Sequence, residues 1–210
     1  DVTLADLIIN GGTLTVAAGR TLTINGILKL GGGVIQGDGT VVITNCKRDR
    51  VMGGSTASHV RTKLVRCVDN AGTYVFPVGT AQGYAPIFVG EISGTGNVSV
   101  QPFEGEYALS AAGLPTNRLR RWWTIENPGG GVTNSQLIFN YSYPDIISNE
   151  PTYKAYRISG GTATVASDVA NTFTHRVTAP NVTAFSDWTI AGDPGGPTPT
   201  PTPIPPTPTP

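Results

Sequence analysis

Charged side chains are scarce in this sequence. Asp, Glu, Lys and Arg make up 13% of the 210 residues, and 14 basic residues balance 14 acidic ones. A chain without net charge has no general electrostatic attraction for nucleic acid or for an anionic membrane. We therefore expect no nucleic acid among its partners.

Long apolar runs and helix-favouring residues are scarce as well. No stretch approaches the roughly 18 consecutive apolar residues of a transmembrane helix, so no membrane span is expected. Methionine occurs once, whereas glycine occurs 27 times and proline 17 times. Glycine and proline interrupt helices, and the abundant β-branched threonine suits strands. The composition predicts an all-β protein, with a helical turn allowed only within residues 107–117.

Residues 1–45 contain short apolar alternations separated by glycine. Leu14, Leu22 and Leu28 follow one another at intervals of six to eight residues. This spacing favours a short β-solenoid-like region, in which each face takes one strand and then a corner. An ordinary β-meander at the start of a sandwich is the alternative.

A rung of about twenty residues allows about two rungs in residues 1–45, fewer than the roughly three that a stable solenoid needs. The sequence therefore predicts two open ends, completed by the next domain or by another copy of the chain. Leu14, Leu22 and Leu28 are the predicted assembly residues, and residues 1–45 the predicted assembly region.

Residues 46–67 are predicted to form a basic connecting segment bounded by Cys46 and Cys67. Six basic side chains in this segment oppose Asp49 alone. The two cysteines are predicted to form a disulfide, worth about 3 kcal/mol for a loop of this length; two reduced structural cysteines are the alternative. The basic cluster is either a solvated surface or a patch for an acidic neighbour or an anionic glycan.

Residues 68–192 are predicted to form an immunoglobulin-like β-sandwich, because short strand patterns recur between turn signals. The pattern places Leu119, Trp123 and Ile125 on one strand face. Arg121 shares that face, so we expect it to reach the edge of the sheet or to lie over an aromatic ring. On the following strand, one face takes Leu137, Phe139, Tyr141 and Tyr143. The predicted strands are 73–79, 84–93, 97–103, 118–126, 136–143, 153–159, 162–166, 172–179 and 183–191.

Residues 193–210 are a Thr/Pro-rich tail. Alternating proline excludes helix and sheet ladders and favours polyproline II. Threonine–proline runs outside the cell are often O-glycosylated stalks. The predicted O-glycosylation sites are Thr198, Thr200, Thr202, Thr207 and Thr209.

Residues for catalysis or metal binding form no convincing pattern. Residues 53–57 (GGSTA), followed by His59, lack the last glycine and the strand-to-helix setting of a nucleophile elbow. Two cysteines and two histidines without a close pair do not suggest zinc. We expect no enzyme activity and no cofactor.

Sequence motifs also suggest sites for carbohydrate. Asn97, Asn140 and Asn181 begin N-glycosylation sequons. A sugar-stacking platform would use exposed aromatic rings, although such rings are more often buried in a core. The candidate rings are Trp122, Tyr141, Tyr143 and Trp188.

Several motifs resemble the β-sandwich modules of large secreted bacterial surface proteins of the adhesin-like, repeat-rich kind, including their preceding glycine-rich β-repeat region. The motifs are TYVFPVG (73–79), YAPI (84–87), RRWWTI (120–125), FNYSYPD (139–145), YKAYRI (153–158) and TAFSDWTIAG (183–192). They consist of aromatic and turn residues, so the resemblance implies a location at the cell surface and a structural role rather than a reaction.

Two functions follow as hypotheses. The first is a structural subunit of an extracellular filament or surface layer, assembled from copies of the chain through its N-terminal β-region. The second is a secreted adhesion or carbohydrate-binding module on a Thr-Pro linker. The start at Asp1 and the cysteine pair fit secretion.

Overall fold

The fold is all-β over the residues that the structure, a computed structural model, describes: 1–108, 111–147 and 150–192. Its helical elements there are single 3-10 turns at Arg48–Arg50, Tyr143–Asp145 and Glu150–Thr152. These turns lie outside residues 107–117, the one segment where a helical turn was allowed; its described part contains a turn in which the Leu114 amide donates to the Ala111 carbonyl, a bridge between Ala112 and Thr162 and the start of a strand.

The N-terminal region is solenoid-like, with about three turns. Its strands are β1 (Val2–Leu4), β2 (Leu7–Thr15), β3 (Thr21–Ile24), β4 (Leu28–Gln36), β5 (Thr40–Ile43), β6 (Val51–Gly53) and β7 (Lys63–Val68). One parallel face takes β1, β3, β5 and β7, and the other takes β2, β4 and β6.

Alternating side chains explain why these strands stack. In β3, Leu22 and Ile24 are buried, whereas Thr21 and Thr23 lie on the outer side. Leu22 pairs in register with Val2 on one neighbour and with Val41 on the other. Apolar residues therefore form rows inside the solenoid along β1, β3 and β5, and the predicted period-2 pattern is confirmed in these strands.

The expected two rungs are too few because residues 46–67 supply a third turn. This segment was predicted as a connection, yet it contains β6 and β7, and Val41 of β5 pairs with Leu64 of β7. Val41 and Leu64 are further apart in sequence than Leu22 and Val41. Because the spacing is not constant, the third turn does not show as a regular repeat in the sequence.

The remaining strands form a four-stranded sheet, a short pair and five strands of a nine-stranded sheet whose other four strands belong to the solenoid. The remaining strands are β8 (Tyr74–Phe76), β9 (Gly79–Thr80), β10 (Gly83–Tyr84), β11 (Ile87–Gly94), β12 (Gly96–Glu104), β13 (Asn117–Glu126), β14 (Val132–Asn140), β15 (Lys154–Ser159), β16 (Thr162–Val165), β17 (Arg176–Val182) and β18 (Asp187–Gly192). The four-stranded sheet has the order β17-β14-β11-β8. The nine-stranded sheet has the order β1-β3-β5-β7-β12-β13-β18-β15-β16.

The two sheets pack against each other through aromatic side chains. Phe139 of β14 lies 5.3 Å from Trp123 of β13 and 5.4 Å from Trp188 of β18, measured between ring centroids. Leu119, Trp123 and Ile125 are buried together as predicted. Tyr143 is 76% exposed because β14 ends at Asn140, so its predicted place on that strand face is wrong. An immunoglobulin-like topology remains a prediction.

One hydrophobic core extends from the solenoid into the two packed sheets of β8 and β11–β18, called here the sandwich. It includes Ile24 and Val41 in the solenoid and Val98, Leu119 and Ile190 in the sandwich. The nine-stranded sheet crosses the boundary without interruption, since β7 pairs with β5 on one side and with β12 on the other. The solenoid is therefore closed by the sandwich at its C-terminal end.

Candidate functional site

The N-terminal end of the solenoid forms an apolar groove of about 450 Å³, called here the terminal groove. β1 and β2 are its walls, and each of these strands pairs with one neighbouring strand among the described residues. The groove is lined by Asp1, Val2, Leu4, Leu7, Leu14, Thr15, Val16, Ala17, Arg20, Thr21 and Leu22.

Apolar exposure accompanies the unpaired strand edges at this end. Val2 is 56% exposed, and Ile8 of β2 is 57% exposed. Natural proteins usually protect such edges with charge, proline or a covering segment. The described residues provide no covering segment here, so apolar side chains and unpaired backbone groups occur together.

The acidic residues at this end bond to backbone within the solenoid. Asp1 Oδ1 accepts a hydrogen bond of 2.8 Å from the Thr21 amide, and Asp6 Oδ1 accepts one of 2.6 Å from the Ile27 amide. Both carboxylates therefore bridge the first turn to the second. Arg20 is the basic residue that lines the terminal groove.

The predicted assembly residues occupy different positions. Leu14 is half-buried and lines the terminal groove, and Leu22 lines it from within the core. Leu28 is fully buried between Leu7 and Val51 and does not line the groove. Of the two expected open ends, the second is completed by the next domain, which is one of the two predicted ways of closing it.

Cys46 and Cys67 form a disulfide, with Cα atoms 4.4 Å apart. Cys67 lies in β7 and Cys46 shortly follows β5, so the bond joins neighbouring strands where the solenoid meets the sandwich. The Tyr74 hydroxyl donates to the Cys46 carbonyl at 2.6 Å and also contacts Asp69 Oδ1. Burial, together with Asp69, raises the pKa of Tyr74 to about 12.

The basic segment does not form one solvated patch. Arg66 is fully buried, with its guanidinium 5.3 Å from the Tyr74 ring centroid and 5.7 Å from that of Phe76. It donates to the carbonyls of Arg48 and Val75. Burial lowers the pKa of Arg66 to about 10. Its alternating position on β7 places it inward, which overrides the preference of arginine for water.

Arg121 is also buried, which corrects its expected position at an edge or over a ring. It forms a bidentate pair with Asp145, and its Nη1 donates to Thr80 Oγ1 at 2.8 Å. Sequence reasoning missed Asp145, because twenty-four residues separate the partners and no local pattern connects them.

The four candidate sugar-binding rings do not form one surface. Tyr141 and Trp188 are buried, and Trp122 is stacked on Phe103 at 4.0 Å with Tyr107 against it edge-on. Tyr143 alone of the four is largely exposed and lies 4.9 Å from the His175 ring.

A more exposed ring was missed by the sequence reasoning. Phe173 is 95% exposed in a turn whose Phe173 and Thr174 amides both donate to Asn171 Oδ1. A polar cleft of about 400 Å³ adjoins this turn. It is lined by Asp168, Val169, Asn171, Arg176, Thr178 and Pro180.

The weak nucleophile pattern does not form a catalytic pair. His59 Nδ1 lies 3.1 Å from the Ser55 carbonyl oxygen, whereas Ser55 Oγ accepts a hydrogen bond from the Ala57 amide. His59 Nε2 accepts a hydrogen bond from Arg61 Nε. In residues 1–108, 111–147 and 150–192, no cluster of three or more His, Cys, Asp or Glu could hold a metal ion. No helix in the same ranges is long and apolar enough to cross a membrane.

The predicted glycosylation sites differ in accessibility. Asn97 and Asn181 are exposed, whereas Asn140 is half-buried and accepts a hydrogen bond from Arg176 Nε. The predicted O-glycosylation sites Thr198, Thr200, Thr202, Thr207 and Thr209 lie outside the described residues, as does the rest of the tail 193–210.

Comparison with known proteins finds no matching family model, curated protein or solved structure. The resemblance to adhesin-like surface modules therefore remains a prediction from the sequence motifs.

Proposed function

We propose that this chain is a non-catalytic structural subunit of an extracellular filament or surface layer, which assembles with other copies through the N-terminal end of its solenoid. The terminal groove carries the proposal. It combines apolar side chains with unpaired strand edges at the one end of the solenoid that the sandwich leaves uncovered.

Burial of this end would provide the driving force for assembly. Removing an exposed apolar side chain of the groove such as Val2 from water contributes about 1.5–3 kcal/mol when burial is complete. A partner strand on β1 or β2 would also satisfy backbone groups along the edge. The absence of net charge favours this association, because copies of a protein with a large net charge repel one another.

An extracellular location is part of the proposal. The disulfide between Cys46 and Cys67 suits an oxidising compartment. The Thr-Pro tail has the composition of extracellular stalks.

Leu14→Asp tests the assembly surface, because it places a carboxylate in the terminal groove at a half-buried position. Negative-stain microscopy of the 210-residue chain should show filaments or sheets, which the Leu14→Asp variant should lose while keeping its circular dichroism spectrum. Phe173→Asp is the matched control, since it adds the same charge at an exposed apolar position elsewhere. A chain that never assembles, or a folded Leu14→Asp variant that assembles normally, would contradict the proposal.

Deletion of residues 1–45 is a poorer test of assembly. It would remove β5 from β7 and uncover Leu64, which is fully buried in the shared core. The shortened chain is therefore expected to be destabilised, and a loss of assembly would not identify the contact surface.

A carbohydrate-binding or adhesion module is the second candidate function, favoured by Phe173 and the polar cleft beside it. The Asn171 hydrogen bonds hold the turn that carries this exposed ring. Exposed aromatic rings beside fixed polar groups suit sugar rings, whose C–H faces stack on them.

A glycan array separates the two candidates. The module function predicts glycan binding that Phe173→Ala abolishes and Leu14→Asp preserves. The assembly function predicts instead that Leu14→Asp abolishes the filaments or sheets seen by negative-stain microscopy and that Phe173→Ala preserves them. Absence of glycan binding by the folded chain would remove the second candidate.

A further inference from the structure

An open-ended assembly through the terminal groove needs a different surface on the neighbouring copy. The far end of the solenoid cannot provide it, because β7 pairs there with β12. The opposite edge of the nine-stranded sheet is partly covered, since the Ala163 amide of β16 donates to the Ala112 carbonyl. The complementary surface must therefore be sought elsewhere in the chain.

We propose that the terminal groove binds residues 198–203 (TPTPTP) from the tail of a neighbouring copy. This inference rests on the proposed assembly and names the partner of the same site. Threonine and proline alternate strictly across these residues, and none of them is charged. The segment can thus enter an apolar groove without desolvating a charge.

Alternation of threonine and proline suits a strand that pairs along one side only. In a β-strand, the N–H and C=O groups of alternate residues point to the same neighbour. Thr198, Thr200 and Thr202 can present their amides to the β1 edge, whereas the prolines on the other side have no N–H to offer. Proline is tolerated at sheet edges for this reason, and a residue before proline favours an extended conformation.

The same alternation matches the two sides of β1. Val2 and Leu4 pair in register with the buried Leu22 and Ile24, whereas Thr3 pairs with Thr23 on the outer side. A docked tail segment would place its prolines in the groove against Val2 and Leu4. Its threonines would extend the outer row that Thr3 begins. The tail segment therefore repeats the apolar-in, threonine-out pattern of a solenoid strand.

A neighbouring copy supplies the segment because its own molecule is too far away. Gly192 ends β18, which is six strands from β1 in the nine-stranded sheet. That separation is about 29 Å at the usual strand spacing of about 4.8 Å. The residues from Gly192 to Thr198 span at most about 21 Å when fully extended. The contact consequently links one copy to the next and generates an open-ended series.

The test uses two variants of the 210-residue chain that differ only in the side of the tail segment that carries the charge. Pro199→Asp/Pro201→Asp directs carboxylates into the groove and should raise the critical concentration for assembly by about tenfold or more. Thr200→Asp/Thr202→Asp adds the same charge on the outer side and should change the critical concentration less than about threefold. Equal effects of the two variants, or none, in a chain that assembles would overturn tail docking and leave assembly intact.

A second measurement tests whether the tail segment binds the terminal groove even when the chain does not assemble. The synthetic peptide PTPTPTP is added to the Pro199→Asp/Pro201→Asp chain, and amide hydrogen exchange is followed in residues 2–15. Slower exchange of β1 with this peptide, but not with the shuffled peptide PPPPTTT, supports docking. Equal exchange with both peptides overturns it. Failure of the unsubstituted chain to assemble counts against the proposed function, while the peptide result still decides docking.

Discussion

Arg121 and Asp145 form a bidentate ion pair in which neither side chain is exposed to solvent. The Arg121 Nε–Asp145 Oδ2 distance is 3.0 Å and the Nη2–Oδ1 distance is 2.9 Å. The Ser142 amide and hydroxyl also donate to Asp145 Oδ2. The pair thereby fixes the 3-10 turn Tyr143–Asp145 against β13.

Breaking this pair should be costly. Arg121→Met leaves the Asp145 carboxylate buried without its counter-ion and should lower the free energy of unfolding by about 3–5 kcal/mol. Lys63→Met is the control, because the Lys63–Glu126 pair is partly exposed and should be worth less than about 1 kcal/mol. Urea unfolding of both variants measures the difference. If both variants lost a similar free energy of unfolding, burial would not make the Arg121–Asp145 pair more important for stability than the partly exposed pair.

The disulfide should stabilise the junction of solenoid and sandwich. Intact mass after alkylation without reductant should show no modified thiols. Reduction should lower the free energy of unfolding by about 3 kcal/mol, since a bond across 21 residues restricts the unfolded chain. A Cys46→Ala/Cys67→Ala chain should have the lower stability with or without reductant. Two alkylated cysteines in the unreduced protein would refute the pairing.

Acidification should destabilise the protein through His59. Burial lowers the pKa of His59 below its ordinary value of 6.5, and the positive charges of Arg61 and Arg121 act in the same direction. The unfolded chain then binds this proton at a higher pH than the folded chain. The stability conferred by neutral His59 is complete above pH 6.5 and is lost as the pH falls through the lower folded-state pKa.

Urea unfolding at about pH 7.5 and about pH 5 tests this dependence. His59→Gln should weaken it, whereas His175→Gln, which removes the partly exposed histidine beside Glu150, should retain it. An unchanged dependence in the folded His59→Gln variant would contradict the assignment.

Gly37 should tolerate no side chain. Its φ is +111°, and an added Cβ would lie 2.2 Å from the Val16 carbonyl oxygen. Gly19 also has a positive φ, of +70°, but no heavy atom lies within 4 Å of its added Cβ. Gly19→Ala should therefore cost only about 1 kcal/mol of backbone strain, and Gly37→Ala clearly more. Equal thermal unfolding midpoints for the two variants would disprove the role of close packing.

Most strand positions were predictable because strand patterns are local, but residues 172–175 and 183–186, predicted as strand, lie in a turn and a loop. The alternation of Leu22 and Ile24 with threonine shows which side of β3 is buried, without knowledge of its neighbours. The Cys46–Cys67 pair was predictable because the chain has two cysteines. The composition alone was sufficient to predict an all-β fold.

Only the tertiary structure shows the features that depend on residues distant in sequence, namely the buried arginines and the open strand edges. Arg66 and Arg121 are buried because their strand positions point inward and because Val75, Arg48 and Asp145 receive their hydrogen bonds. The pairing of β7 with both β5 and β12 closes one end of the solenoid and leaves the terminal groove at the other. Sheet neighbours are chosen by contacts between distant segments, so alternation within a strand cannot show which edges stay open.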